Sequence, residues 1–458
     1  MHKSVDLYLG MNEIELQTSK SANIKLRVLI ETFGCQINEY DSELVRAILS
    51  GDGFGEAADL ESADIVLINT CAVRENAHNR VYGRLQQLAK YCESTDKEIT
   101  IGVLGCMAQN LKNELLDNNL PVDLVVGPDS YRNLPHIILE ARKGGPELAI
   151  DISEFETYDD IYPARQEGVN AWIAVMRGCD NFCTFCIVPY TRGRERSRSL
   201  ESVVAETQRL VAEGYSQVTL LGQNVNSYHH DGRTFADLMR AVADVPGVRR
   251  VRFTSPHPKD FPDDLLQAIQ AHPHICKHIH LPLQAGSDRI LNLMRRQHTA
   301  GEYVELTDRI RETIPDIILT TDILLGFPTE TRDEFEETVR VVEQVKFDNA
   351  YIFNYSERKG TVAQRRWPDD VPPDEKKYRI TLLNDLQKKI SLEQNRHHVG
   401  LIQEVLVESP SKRNCNDWSG RNDGGINVIF PHENERPGDY INVKITGATA
   451  VVLKGRRI

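Results

Sequence analysis

Three cysteines stand close together at Cys179, Cys183 and Cys186, in the run Arg-Gly-Cys-Asp-Asn-Phe-Cys-Thr-Phe-Cys over 177–186. Thiolates at this C-x3-C-x2-C spacing suit three irons of a cubane iron–sulfur cluster and leave the fourth iron without a protein ligand. Such an open iron is a place for chemistry, since electron-transfer ferredoxins close their clusters with a fourth cysteine. Zinc is the other reading of such a loop. It would want a fourth Cys or His nearby, and the nearest downstream histidines, His229 and His230, lie more than forty residues on. A disulfide framework does not fit a chain of 458 residues with nine cysteines and no secretory signal. The first 25 residues mix Lys3, Asp6, Glu13, Glu15, Lys20 and Lys25 with short apolar stretches and read as a loose tail.

A second set of cysteines shows itself only through the elements that carry it. Near-continuous apolar runs at 26–32, 64–69, 99–104 and 122–126 alternate with amphipathic segments, the pattern of a parallel sheet covered on both faces. A doubly wound N-terminal α/β domain over 26–148 is therefore expected. Each of its first three strands is followed within a few residues by a cysteine: Cys35, Cys71 and Cys106. Ligands of open parallel sheets bind just outside the carboxyl ends of the strands. The three thiols would then share one metal site although 35 or 36 positions separate each from the next. Three buried structural cysteines are the alternative. Cys92, Cys276 and Cys415 have no comparable partners.

A polar, acidic stretch at 149–168 reads as a linker. From 169 to 396 strand and helix alternate six times, with strands expected at 172–177, 217–222, 250–254, 278–283, 317–325 and 348–355. Six units suit a partial (β/α)6 barrel. The loop bearing Cys179 follows its first strand, on the face where barrel enzymes carry their active sites. A charged helical pair is expected near 374–395. The remaining segment, 397–458, shows short alternating strands between glycine turns, as a small antiparallel β-barrel would.

The net charge of −13 argues against a protein that coats nucleic acid non-specifically. That acidity spares the last segment, where Lys412, Arg413, Arg421, Lys444, Lys454, Arg456 and Arg457 make RNA attachment a reasonable role. No apolar run approaches the ~18–20 residues that span a bilayer, so no membrane association is expected. Composition and cysteine usage suit a cytoplasmic enzyme.

Several long strings resemble the methylthiotransferases of the radical S-adenosylmethionine (SAM) superfamily. They are Thr-Phe-Gly-Cys-Gln-Ile-Asn-Glu-Tyr-Asp-Ser-Glu from Thr32, Asn-Thr-Cys-Ala-Val-Arg-Glu-Asn from Asn69, and Gly-Cys-Met-Ala-Gln from Gly105. The central match runs from Arg177 through Arg198, with Leu-Gly-Gln-Asn-Val-Asn-Ser-Tyr from Leu221, Thr-Ser-Pro-His-Pro from Thr254, and Gly420-Arg421 in a TRAM-like barrel. Within that family the strings look like the MiaB-type tRNA-2-methylthio-N(6)-dimethylallyladenosine synthases.

The resemblance implies two 4Fe–4S clusters. Cys179, Cys183 and Cys186 would hold the one that chelates SAM and cleaves it to a 5′-deoxyadenosyl radical. Cys35, Cys71 and Cys106 would hold a second that supplies sulfur, which another SAM methylates. The product would be a 2-methylthio group on N(6)-dimethylallyladenosine at tRNA position 37. Implied partners are the anticodon stem-loop of tRNA, an electron donor such as flavodoxin or ferredoxin, and sulfur and cluster delivery proteins.

Gln223 occupies the place where the superfamily contacts the SAM amino group, while Gln284 and Gly326 would line the same pocket; each also reads as a turn or cap residue. Arg192, Arg194, Arg196 and Arg198 alternate, so an extended segment would put them on one face for tRNA phosphate or the SAM carboxylate, or leave them as a solvated edge. Relatives of the same chemistry act on threonylcarbamoyl-adenosine in tRNA or on a ribosomal-protein aspartate. A non-catalytic, zinc-containing RNA-binding protein is the alternative of a different class.

Overall fold

The computed structural model describes residues 26–72, 75–117, 120–165, 168–414 and 416–458. The segment read as a tail and Cys415 lie outside the described residues. Six parallel strands form the N-terminal sheet: β1 (Arg27–Phe33), β2 (Gly55–Glu56), β3 (Ile65–Thr70), β4 (Thr100–Gly105), β5 (Leu124–Val126) and β6 (Glu147–Ala149), in the order β2-β1-β3-β4-β5-β6. Every residue of β3 and β4 is buried, which is why both are largely apolar, with Asn69, Thr70 and Thr100 as buried polar exceptions. Helices Gln36–Gly51 and Leu134–Gly144 cover one face through Leu44, Val45, Leu49, Ile137 and Ile138. Helices Glu75–Thr95 and Cys106–Leu111 cover the other through Val81, Leu85, Leu88, Met107 and Ala108. The sheet is thus doubly wound: β2 is added on one side of β1 and β3 to β6 on the other, so the order of winding reverses between β1 and β3.

The register carries a consequence for chemistry. Phe33 pairs with Thr70, and Thr70 pairs with Gly105. The three strands end side by side, and Cys35, Cys71 and Cys106 follow within two residues. Such a switch point opens a crevice at the carboxyl ends of the strands.

The central unit has β7 (Asn170–Ala174), a short antiparallel pair β8 (Met176–Arg177) and β9 (Arg196–Ser197), then β10 (Gln217–Leu221). A small hairpin, β11 (His229–His230) and β12 (Arg233–Thr234), precedes β13 (Arg250–Phe253), β14 (His278–His280), β15 (Ile318–Leu325) and β16 (Asn349–Asn354). Parallel β7, β10 and β13 form one half, β14, β15 and β16 the other, and the halves meet where Val251 bridges Ile275. This is the expected partial (β/α)6 barrel. The expected charged helical pair is instead one helix, Pro373–Arg396.

The stretch read as a linker is packed. Tyr158 is fully buried; its hydroxyl donates to the Pro128 carbonyl at 3.0 Å and accepts the Tyr131 N–H at 3.1 Å. Arg132 clasps Glu156 and Asp160, and Arg165 pairs with Glu206 across the domain boundary. Acidic side chains that look like solvated linker composition are in fact partners for arginines remote in sequence.

The C-terminal strands β17 (Ile402–Pro410), β18 (Asp417–Arg421), β19 (Asn427–Pro431), β20 (Tyr440–Ala448) and β21 (Val452–Arg457) close into a barrel around Val405, Val407, Val428, Phe430, Val443, Ile445 and Leu453. One pairing, β19 with β21, is parallel, so the barrel is not wholly antiparallel. The Asp-Trp-Ser-Gly-Arg strand β18 has no apolar alternation to betray it. The barrel docks where the strands of the central unit begin. Arg250, first in β13, donates to the carbonyls of Arg421 and Glu404, each at 2.8 Å. Arg252 donates to the Asn422 carbonyl at 2.7 Å, and Asp423 accepts the Lys277 N–H at 2.9 Å.

Candidate active site

The cysteine loop after β8 is pinned from both sides. Cys179 N–H donates to the Gly193 carbonyl at 3.1 Å, and Thr184 N–H donates to the Met294 carbonyl at 3.0 Å. Gly178 sits at φ +79°, and a Cβ there would lie 1.9 Å from the Arg194 carbonyl oxygen. Only glycine lets the two sides of the loop approach so closely. Arg296 points Nη1 at Cys183 Sγ, 3.6 Å away, and donates through Nη2 to the Pro282 carbonyl. Burial pushes the Cys179 and Cys186 thiols up to about 12.

The strand-end cysteines have a different surrounding. Cys35 caps the helix Gln36–Gly51 and donates its thiol to Asn38 Oδ1 at 3.3 Å. Asn38 donates to Asn69 Oδ1 at 3.2 Å, and Asn69 donates to the Asn38 carbonyl at 2.9 Å and to Ser42 Oγ at 3.0 Å. This polar ladder ties the first turns of the helix Gln36–Gly51, which follows β1, to the end of β3. A hydrogen bond with Cys71, then the positive charge of Arg192, bring the Cys35 thiol down to about 6 against the effect of burial. Burial raises the Cys106 thiol, which nevertheless accepts Arg192 Nε–H at 3.1 Å. Cys106 also packs on Ile187, next to Cys186, so the two cysteine trios are neighbours.

Between them lies a buried charge cluster. Asp41 takes Arg177 Nη2 on one oxygen at 2.8 Å and Arg192 Nη2 on the other at 2.6 Å. Burial works to raise the Asp41 carboxyl, but the two guanidiniums hold it below the ordinary carboxylate range. Three of the four alternating arginines therefore depart from expectation. Arg192 closes the helix Val188–Arg192 and is buried on Asp41; Arg196 is buried on Asp129 at 3.1 Å; Arg198 is buried on Glu206 at 2.6 Å. They share neither one extended face nor solvent. Arg194 alone is exposed, paired with Asp180 at 2.6 Å.

Gln223 and Gln284 follow the ends of β10 and β14. Gln223 Oε1 is buried and finds no hydrogen-bond partner among the described residues. Gln284 adopts φ +73°, its backbone bonded to Asp322 and Leu324. Gly326, at φ +68° after β15, gives its N–H to Glu330 Oε2 at 2.6 Å, and Lys376 covers its Cα. Gln284 thereby bridges β15 at Ile323 in parallel, while Gly326 sits in the turn after β15.

Among the described residues no three His, Cys, Asp or Glu side chains stand close enough to ligate one metal ion. A cubane asks for something else: each thiolate binds its own iron, so the sulfurs stand apart around the cluster. The residues fit that group. Two guanidiniums share one buried carboxylate beside Cys106, and Arg177 Nε, Arg177 Nη1 and Arg192 Nη1 have no hydrogen-bond partner among the described residues. The excess positive charge suits a negative group, and a thiolate-bound cluster supplies one.

Residues 27–127 match the model of the uncharacterized protein family UPF0004, 173–342 that of the radical SAM superfamily, and 396–458 that of the TRAM domain. The tRNA-2-methylthio-N(6)-dimethylallyladenosine synthase of Christiangramia forsetii is 42% identical over 100% of this chain and 99% of its own length. That of Chloroherpeton thalassium is 45% identical over 96% of this chain and 98% of its own. The chain belongs to the tRNA-2-methylthio-N(6)-dimethylallyladenosine synthase family. Among solved structures, the radical SAM methyltransferase TsrM from Kitasatospora setae, with cobalamin and a [4Fe-4S] cluster bound, aligns over 74% of this chain and 77% of its own. Its TM-score is 0.54 at 13% identity, a likeness of fold.

Within the synthase family's strings, Asn38, Asp41, Asn69 and Arg177 carry structural work that spacing alone did not assign. A faint signal was available. In the helix Gln36–Gly51 the buried positions Asn38, Asp41, Ser42, Val45 and Leu49 form one stripe, and its first turns are polar where an amphipathic helix would be apolar.

Proposed function

We propose that this protein methylthiolates carbon 2 of N(6)-dimethylallyladenosine at position 37 of tRNA, a cytoplasmic reaction drawing on two SAM molecules and cluster-borne sulfur. The observation that carries the reading is the strand register that sets Cys35, Cys71 and Cys106 side by side and next to the Cys179 loop. Cys179, Cys183 and Cys186 would hold one 4Fe–4S cluster and the strand-end trio a second, the first supplying the electron that cleaves SAM and the second the sulfur.

The chain's own residues do the positioning. Gln223 offers its unpartnered Oε1 to the SAM amino group at the mouth of the barrel. Arg296 directs a donor at Cys183 Sγ and holds that side of the loop in place. The Asn38–Asn69 ladder fixes the strand ends that present the second trio. The C-terminal barrel would offer basic side chains such as Lys412, Arg413, Lys444, Lys454 and Arg456 to the anticodon stem-loop. Flavodoxin or ferredoxin would supply electrons, and sulfur and cluster delivery proteins would replenish the second site.

Two substitutions test the division of labour. Cys183→Ala should abolish deoxyadenosine formation from SAM, whereas Cys71→Ala should retain it and lose methylthiolation of tRNA, read by mass spectrometry of nucleosides. Methylthio-adenosine from the Cys71 variant would remove the second trio from the mechanism. Anaerobically prepared protein should contain about eight irons with matching sulfide; stoichiometric zinc would favour the non-catalytic RNA-binding reading.

A further inference from the structure

We infer that Arg192 is a positioning residue shared by the two cysteine sites, one that stabilises added negative charge on the strand-end site and fixes its place against the Cys179 loop. This rests on the reading that Cys35, Cys71 and Cys106 hold an iron–sulfur cluster.

The geometry is specific to this side chain. Arg192 donates Nε–H to Cys106 Sγ at 3.1 Å and Nη2–H to Asp41 Oδ2 at 2.6 Å, so one planar guanidinium spans a cysteine of one domain and a carboxylate that the other arginine also uses. Asp41 lies in the helix that begins after Cys35, and its second oxygen takes Arg177, two residues before Cys179. Arg192 itself ends the helix that follows Cys186. The chain Cys106–Arg192–Asp41–Arg177 therefore runs from the strand-end trio to the root of the loop trio, through side chains that are 6% exposed or less. A lysine in its place would carry the charge without the fork.

Asp41 cannot neutralise both guanidiniums. The surplus positive charge sits beside buried Cys106, where charge interactions are strong, and also acts on the half-buried Cys35. Hydrogen bonds to cluster sulfurs and local charge are among the terms that set cluster potentials. Arg192 should thus raise the reduction potential of the strand-end cluster, since reduction adds an electron to a group already negative.

The test isolates that cluster in a protein whose loop cysteines are replaced (Cys179→Ala, Cys183→Ala, Cys186→Ala), and follows reduction by potentiometric titration with electron paramagnetic resonance. Adding Arg192→Gln should move the midpoint to more negative potential with iron content retained, because Asp41 keeps Arg177 as its partner. Arg192→Lys should leave the midpoint closer to that of the parent. An unmoved midpoint in Arg192→Gln with iron retained overturns the inference and leaves the two-cluster reading standing. Loss of iron from both Arg192 variants also overturns it, as a purely structural role would then suffice. A parent triple variant without iron and sulfide overturns the two-cluster reading itself and this inference with it.

Discussion

Single residues decide how closely the pieces of the site approach. Gly105, one residue before Cys106, adopts φ +85°, and a Cβ there would fall 2.4 Å from Asn69 Oδ1 and 3.0 Å from the Thr70 carbonyl oxygen. Gly105→Ala therefore forces both a left-handed backbone and displacement of the Asn38–Asn69 ladder. The strain should cost roughly 1–3 kcal/mol, read as a lowered melting temperature, and iron bound by a protein retaining only the strand-end cysteines should fall with it. A variant with unchanged melting and iron would show that the ladder does not set the strand ends. Tyr131 illustrates a quieter contribution. It is fully buried behind Asp41 and Arg192, where desolvation raises its phenol well above its ordinary range and keeps it neutral.

At the scale of elements, strands and helices were legible because their burial is simple. The helices 200–212, 300–313 and 332–345 begin at Ser199, Thr299 and Thr331, each capping with its side-chain oxygen. Their apolar stripes face one core. What periodicity could not show was the joint between elements. Asp348, before β16, accepts the Leu319 N–H of β15 at 2.8 Å, while Ser391 of the helix Pro373–Arg396 donates to its carbonyl at 2.7 Å. Burial raises the Asp348 carboxyl to about 6. Unfolded, it would titrate near ~3.9. Between those values the folded chain holds the extra proton, so this group makes stability fall as pH rises through the window, with its full penalty above about 6. Asp348→Asn keeps an acceptor for Leu319 and removes the titration. Paired melts should show the variant gaining on the parent as pH rises from about 4 to 6, and parallel curves would refute the assignment.

For the whole molecule, the charges that join domains matter more than their number suggests. A net charge of −13 spread over 458 residues says little about contacts. The structure shows Arg177, Arg192 and Arg196 buried against Asp41 and Asp129 of the N-terminal domain, and Arg198 buried against Glu206 of the helix 200–212. At the far end, Arg250 anchors the C-terminal barrel through two backbone carbonyls. Removing it takes the donor from both part-buried carbonyls, at about 0.5–1.5 kcal/mol each. Arg250→Ala should therefore make the barrel easier to release by limited proteolysis and weaken tRNA binding, with iron content unaltered. Binding equal to the parent's would mean that the barrel's docking does not orient the RNA.

By itself the sequence determined the long apolar strands, the spacing of the two cysteine trios, the three-part order and the family, because apolar periodicity and ligand spacing are local and long motifs are specific, whereas β2, β6 and the polar β18 carry no such signal. Tertiary structure alone decided that the strand ends align in register and that the arginine run turns inward. It also decided that an acidic stretch read as a linker is a packed strap. The physical reason is the same throughout: whether a charge is solvated or buried depends on a partner that pattern does not reveal. Asp41 and Arg192 are 151 positions apart in the chain and 2.6 Å apart in the fold.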